Sequence, residues 1–228
     1  MRKKSPLFSE KIKDLDLKRT VFQPREALDL AQKLSYENFD ASLEVHVRTG
    51  IDPKKGDQII RASATLPHGT GKTKRVAVFA DGEKALEAKE AGADLVGGTE
   101  LIAEIKQSGR ADFDIAIATP DMMRNLAGVA KVLGPRGLMP SPKNDTVTLN
   151  IKAALDAVKG GKINFKNDDS GIVHQVIGRR SFTLDNLYEN YAAFIESVRK
   201  ARPAPVKGTY IKAVTIATTM GPGIRIAV

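Results

Sequence analysis

Neither end of this chain carries enough strand-like sequence to form a stable sheet alone. The first part offers an amphipathic helix over residues 24–34, with Ala27, Leu28, Leu30, Ala31 and Leu34 on one face. Two strands follow, at 43–48, where apolar and polar residues alternate strictly, and at 59–66. The last part offers strands at 163–165 and 171–177, a helix over 183–200, and closing strands at 210–218 and 224–228. In that helix Leu184, Leu187, Tyr191, Phe194, Ile195 and Val198 recur at helical spacing. The two ends are therefore expected to complete one another as a single discontinuous α+β domain.

Between them the pattern changes to alternating strands and helices. Residues 76–80 (VAVFA) form a short apolar run suited to a buried parallel strand. A helix at 82–92, a strand at 94–96 and a helix to Gly109 capped by Thr99 follow. A strand at 114–118 leads to a helix capped by Asp121 that stops at Gly134-Pro135. Asn150 then caps a helix that stops at Gly160-Gly161. This alternation predicts an inserted Rossmann-like, three-layer α/β domain with a mostly parallel sheet. The domains predicted are 1–67 with 160–228, and 68–159. Gly69 and Gly71 at one crossing and Gly160 and Gly161 at the other are hinge candidates, since glycine absorbs dihedral change at low steric cost.

Charge separates along the same division. The chain carries 36 basic and 27 acidic residues, net +9. Residues 1–67 have 13 basic and 10 acidic side chains, net +3; residues 160–228 have 10 and 5, net +5; the middle has 13 and 12, net +1. Ten of the twelve Phe and Tyr residues lie in the two ends, all but Phe79 and Phe113. Positive charge with aromatic rings suits phosphates and unpaired bases. With no cysteine in the chain, disulfides, thiolate nucleophiles and Cys-type zinc sites are excluded. No apolar run reaches the length of a membrane span. The basic N-terminal stretch runs into charged residues and does not read as a secretory signal, so a cytoplasmic location is expected.

Several stretches admit both a functional and a plain structural reading. Residues 68–73 (HGTGKT) approach a phosphate-binding P-loop, but Leu66 occupies the required glycine position and a strand follows where a helix is needed. His46, His68 and His174 lack the spacing of a metal motif; hydrogen-bonded or RNA-contacting roles fit His46 and His174, on strands, better, and no cofactor is expected. The turn at 166–171 (KNDDSG) suits turn chemistry. Equally, Lys166 could meet a phosphate and Ser170 a ribose 2′-hydroxyl. Arg136 and Lys143, in the irregular 134–143 loop, could touch phosphate or belong to a stiff surface loop. Phe39, in SYENF after the first helix, could stack on a base or pack in the core. Residues 218–223 (TTMGPG) interrupt two apolar strands; a hairpin turn explains Gly-Pro-Gly but not Thr-Thr-Met.

Seven segments together resemble one family, the bacterial ribosomal protein L-one family of the mobile stalk beside the exit site. They are NFDASLEVHVRTGID (38–52), SATLPHGTGK (63–72), EAGADLVGG (90–98), DFDIAIATPDMM (112–123), LGPRGLMPSPK (133–143), INFKNDDSGIVH (163–174) and TTMGPGIRI (218–226). The resemblance implies a discontinuous domain that binds large-subunit rRNA at the base of the stalk, and an inserted Rossmann-like domain. It carries RNA contact to Phe39 and Ser42, to Lys166, Asp168, Ser170, Gly171 and His174, and to Thr219, Met220 and Gly221. Asn38 stands where family members can carry a basic residue. The resemblance also implies help in releasing deacylated tRNA from the exit site and repression of the chain's own operon mRNA. Free in solution, such a chain is expected to be a monomer. The competing class, an enzyme using a nucleotide in the α/β domain, lacks both a glycine fingerprint after a strand and a plausible catalytic set.

Overall fold

The computed structural model describes residues 20–142 and 145–227. The basic N-terminal stretch and Lys143 lie outside the described residues. The chain divides into two compact units, one running to Gly71 and resuming over Ile163–Val228, the other spanning Lys72–Lys162.

The discontinuous unit is built on helix α1 (Pro24–Leu34) and strands β1 (Ser42–Thr49) and β2 (Arg61–Thr65) from the first part of the chain. The last part supplies β6 (Lys162–Lys166), β7 (Ile172–Arg179), α7 (Leu184–Lys200), β8 (Ile211–Thr218) and β9 (Ile224–Ile226). β1 is an interior strand of a four-stranded sheet, order β7-β1-β8-β9, and is antiparallel to β7 and β8. It thus bonds on both edges to strands more than 120 residues further along, which explains why neither end closes a sheet alone. β2 and β6 form a separate two-stranded ribbon.

One face of the four-stranded sheet buries Leu43, Val45 and Val47 against Leu28 and Ala31 of α1 and Leu187, Phe194 and Val198 of α7. A fully buried side chain of this size is worth about 1.5–3 kcal/mol, so this interlocked cluster holds the two distant segments together. Proline at the first position of α1 and Thr183 as the N-cap of α7, accepting from Asn186 N at 3.3 Å, set the helix starts. The opposite sheet face carries Ser42, Glu44, His46 and Arg48 from β1 and stays partly or fully open.

The second unit has a parallel sheet, order β4-β3-β5, from β3 (Val76–Phe79), β4 (Leu95–Gly97) and β5 (Ile115–Ala118). β3 is buried throughout, and its residues alternate between two cores: Val76 and Val78 in one, Ala77 and Phe79 in the other. Helices α2 (Glu83–Glu90) and α6 (Ile151–Lys159) cover the first core. The second is covered by α3 (Thr99–Ser108), α4 (Met123–Leu126) and α5 (Ala130–Leu133). That is the three-layer arrangement expected of a fully apolar strand. Asn150 caps α6 as the sequence predicts, accepting from Ala153 N at 3.2 Å.

Two capping expectations fail. Thr99 is the first residue of α3, and Gly98 occupies the cap. The Asp81 carboxylate crowds Gly98 so closely that a Cβ there would lie 1.8 Å from Oδ1. Asp121 caps nothing either: the segment 123–133 starts behind Met122 and is broken into α4, a 3₁₀ turn at Ala127–Val129 and α5. Gly128 sits within the break, where a helix interior is least favoured.

Candidate nucleic-acid interface

The open sheet face of the discontinuous unit ends in two polar corners, and the candidate residues distribute between them. At one corner the connection from α1 to β1 meets the turn after β8. Thr219 N donates to Ser42 O at 3.1 Å, and the Thr219 hydroxyl accepts from Ser42 N at 3.1 Å. The Tyr36 hydroxyl donates to Met220 O at 3.1 Å. Phe39, Ser42, Thr219, Met220 and Gly221 therefore lie on hydrogen-bonded neighbouring segments, although Phe39 and Gly221 are separated by almost the whole domain in sequence. Phe39 is 52% exposed and Met220 54% exposed. Both stay out of the core, which resolves the two readings of Phe39 in favour of a surface ring.

What holds this corner is Glu37, which the sequence reading passed over between two aromatics. Its side chain is 7% exposed. One carboxylate oxygen accepts from Thr218 Oγ1 at 3.2 Å and Met220 N at 3.1 Å; the other is a very short acceptor for Ser35 Oγ. Burial would raise its pKa, but the bonds from Ser35, its own backbone, Met220 and Thr218 outweigh that and hold it below the ordinary carboxylate value. Glu37 thus fixes the path of the backbone that presents Met220. Gly221 is needed beside it, since a Cβ there would stand 2.1 Å from Thr218 Oγ1. Arg180 donates to Glu37 O at 3.1 Å and Arg179 to Asp40 O at 2.9 Å, while Asp40 accepts from Ser181 N and Oγ. Two arginines therefore border the exposed Phe39. Nothing local in the sequence signals these bonds, because all but the one from Ser35 join segments over 130 residues apart.

The second corner lies at the other end of β1. Ser42 and Thr49 are seven residues apart, about 23 Å at ~3.3 Å per residue. Here Asp168 organises the β6–β7 turn: Oδ1 accepts from Ser170 N at 2.9 Å and Ile172 N at 2.7 Å, and Oδ2 lies 3.3 Å from His174 Nε2. The Ile172 N–H, with His174 and Ser170, lowers the Asp168 pKa against the opposing effect of burial. The Asp168 carboxylate is thus engaged in building the turn, while Lys166, Asp169, Ser170 and His174 remain exposed. Gly171 has φ +75°, and a Cβ on it would stand 3.2 Å from Ile51 Cγ1, so the turn packs tightly on the chain leaving β1. Between the corners His174 faces His46 across β7 and β1.

The remaining candidates fall elsewhere. Gly69 and Gly71 have φ of +61° and +71° and Gly161 has +98°, whereas Gly160 closes α6 with its N–H on Asp156 O at 2.7 Å. Asn190 grips the first crossing, accepting from His68 N at 3.0 Å and donating to Gly69 O at 2.9 Å. This keeps His68 and Gly69 with the discontinuous unit. β3 begins at Val76 after the HGTGKT segment, with no helix there to face a phosphate. In the 134–143 loop Leu138 and Met139 pack on the second α/β core and Arg136 is exposed. Among the described residues no group of three or more His, Cys, Asp or Glu can hold a metal ion, and no helix is long and apolar enough to cross a membrane.

An exposed ring, a thioether and bordering arginines at one corner, with Lys166, Ser170 and His174 at the other, suit stacking, close backbone approach and phosphate contact. Residues 31–222 match the family described as Ribosomal protein L1p/L10e family. The chain is 51% identical over 206 residues to the large ribosomal subunit protein uL1 of Rubrobacter xylanophilus, covering 90% of each chain. It is 48% identical to that of Corynebacterium glutamicum over 99% of this chain and 95% of the relative. To that of Frankia alni it is 52% identical, over 90% and 86% respectively.

Proposed function

The chain belongs to the ribosomal protein L1p/L10e family, and on that premise we propose that its discontinuous unit holds large-subunit rRNA along the open face of the four-stranded sheet. Family membership makes the protein a structural constituent of the large ribosomal subunit, ribosome-associated in the cytoplasm, with rRNA as its partner. The observation that carries the finer reading is the Phe39–Met220 corner. Two large apolar side chains stand half exposed on a backbone fixed by Glu37, Tyr36 and Ser42. A monomer gains nothing from holding such groups rigidly in water, whereas splayed bases and sugars bury them. Phe39, Ser42, Thr219, Met220 and Gly221 would seat one stretch of RNA, and Lys166, Ser170, Gly171 and His174 the next. Asp168 contributes by shaping the turn.

From the same face follow two finer roles. An mRNA leader that folds like the rRNA site would compete for it, so the free protein would repress its own operon. Release of exit-site tRNA requires that the α/β unit move while the other stays bound. The φ values at Gly71 and Gly161 support crossings that tolerate such motion. A nucleotide-using enzyme is disfavoured, since Leu66 stands where a P-loop needs glycine and strand β3, not a helix, follows the HGTGKT segment.

The test is filter binding of the full chain to a stalk rRNA fragment, beside a titration with free nucleotides. Tight, salt-sensitive binding to the fragment without nucleotide binding is the expected result. Co-sedimentation with large subunits distinguishes a ribosomal constituent from a free-standing mRNA repressor.

A further inference from the structure

Beyond the 168–171 turn the sheet ends at a corner where three segments meet. Thr49 donates to Gly171 O from both its N–H, at 3.1 Å, and its hydroxyl, at 2.6 Å. Gly50 N donates to Tyr210 O at 2.7 Å, and a Cβ on Gly50 would stand 3.3 Å from Lys212 Cε. Behind this corner lies the 51–58 loop, in which Asp52 accepts from Lys54 N and Gln58 turns back onto Asp52 N. On the other side is the loop before β8, tied down by Arg202, which donates to the carbonyls of Val206 and Gly208.

Four lysines project here: Lys54 and Lys55 from the first loop, Lys207 from the second, and Lys212 from the start of β8. All are exposed, and none forms an ion pair with the described residues. Arg48, the outward residue of β1 beside Ile172 and Ala213, is exposed too and joins them to the open face. Within the 51–58 loop Asp52 and Asp57 balance Lys54 and Lys55, so the positive excess of the corner comes from Lys207, Lys212 and Arg48. Among the described residues there is no exposed aromatic ring here, and Ile59, next to the 51–58 loop, is the exposed large apolar side chain. The chemistry is that of dispersed ammonium groups on a backbone-fixed corner.

We propose that the RNA-binding surface turns this corner: Lys54, Lys55, Lys207 and Lys212 take backbone phosphates of a second, adjoining stretch of the same RNA without reading its bases. The inference rests on the RNA-binding reading and extends it, because the corner is continuous with the 168–171 turn through Thr49 and Gly171. Lysine suits the task as a mobile point charge that follows phosphates without fixed geometry. The four would position the RNA, while the Phe39–Met220 corner and the turn recognise it.

The experiment uses the full chain, a short stalk rRNA fragment and the same fragment lengthened by one helical segment. A quadruple variant (K54Q/K55Q/K207Q/K212Q) is compared with a control of equal charge change in the α/β unit (K89Q/K106Q/K131Q/K152Q). Affinity is measured between about 50 and 200 mM salt, where each phosphate contact contributes roughly 0.7–0.9 to the slope of log K against log salt. The expected result is little change on the short fragment. On the long one, affinity should fall about tenfold and the slope by about 3, with the control near wild type. Equal slopes for variant and wild type on the long fragment overturn the extension. If Met220→Asp still weakens binding in that case, the RNA-binding reading stands without it. A wild-type chain that binds neither fragment overturns both. Capture of an acidic protein in place of RNA phosphates, lost in the quadruple variant while the long-fragment slope is unchanged, also overturns the proposal.

Discussion

His46 and His174 stand directly opposite one another on antiparallel strands, with their Nδ1 atoms 2.8 Å apart. One of the two nitrogens must carry the proton and the other accept it, so the contact requires at least one neutral ring. Asp168 Oδ2 lies on the far side of His174, at 3.3 Å from Nε2. Glu44 precedes His46 on the outward face and Arg48 follows it, and Arg225 lies beyond Thr215 in the same row. Burial, then the charge of His174, lowers the His46 pKa, with Glu44 opposing.

This geometry predicts opposite pH effects on folding and on RNA binding. Since His46 takes up its proton less readily when folded, the unfolded chain binds more protons below about pH 6.5. Stability contributed by neutral His46 is present above that value and lost as pH falls through the folded pKa. RNA phosphates laid on the pair favour the protonated form, so affinity should rise over the same fall. Melting temperature and Kd, measured at about pH 5.5 and 7.5, should both change less in His46→Gln. A variant whose pH profiles match wild type would show that the pair is not the titrating element.

Glu37→Gln should weaken folding and binding together. The substitution removes a buried charge; the Gln oxygen can still accept from Thr218 and Met220, but its NH2 replaces the oxygen that accepts from Ser35. A loss of about 1–3 kcal/mol in stability is expected, read by urea unfolding. With its folded pKa depressed, Glu37 contributes stability above the ordinary carboxylate range that is lost as pH falls through the folded value. The variant should therefore show a shallower acid dependence in that window. Full stability with lost RNA affinity would mean that Glu37 meets the RNA directly.

Met220→Asp should separate the two properties that Glu37→Gln couples. Met220 is exposed, so a carboxylate there costs folding little. Against RNA phosphates it should lower affinity at least about tenfold, near 1.4 kcal/mol, with the melting temperature almost unchanged. Unaltered affinity in a folded protein would remove Met220 from the interface.

Excision of Lys72–Lys162, with a short glycine linker joining Gly71 to Ile163, should leave a folded protein that binds the rRNA fragment. The core of the discontinuous unit, from Leu28 through Val47 to Phe194, includes no residue of the excised segment. Circular dichroism and filter binding check the two halves of the statement. A folded remnant without affinity would move the RNA site into the α/β unit.

Much of this architecture is legible in the sequence because its causes are local. The period of Leu184, Leu187, Tyr191 and Phe194 makes α7 a one-sided helix; the alternation of Leu43, Val45 and Val47 makes β1 half buried; the unbroken VAVF makes β3 a covered parallel strand. Asn150 announces its cap. Local signals misled where a neighbour in space intervened, as at Thr99, whose cap position belongs to Gly98 beneath the Asp81 carboxylate. The motifs around Phe39, the 166–171 turn and TTMG mark the segments from which the proposed interface is built. How they meet is set by strand pairing across the domain. Glu37 is one polar residue in a loop until β1 pairs with β8 and brings the Met220 amide to its carboxylate. His46 and His174 are unrelated until β1 pairs with β7. A hydrogen bond across 128 or 183 residues depends on strand register, and register is set by which faces the whole domain buries, a property that no single segment contains.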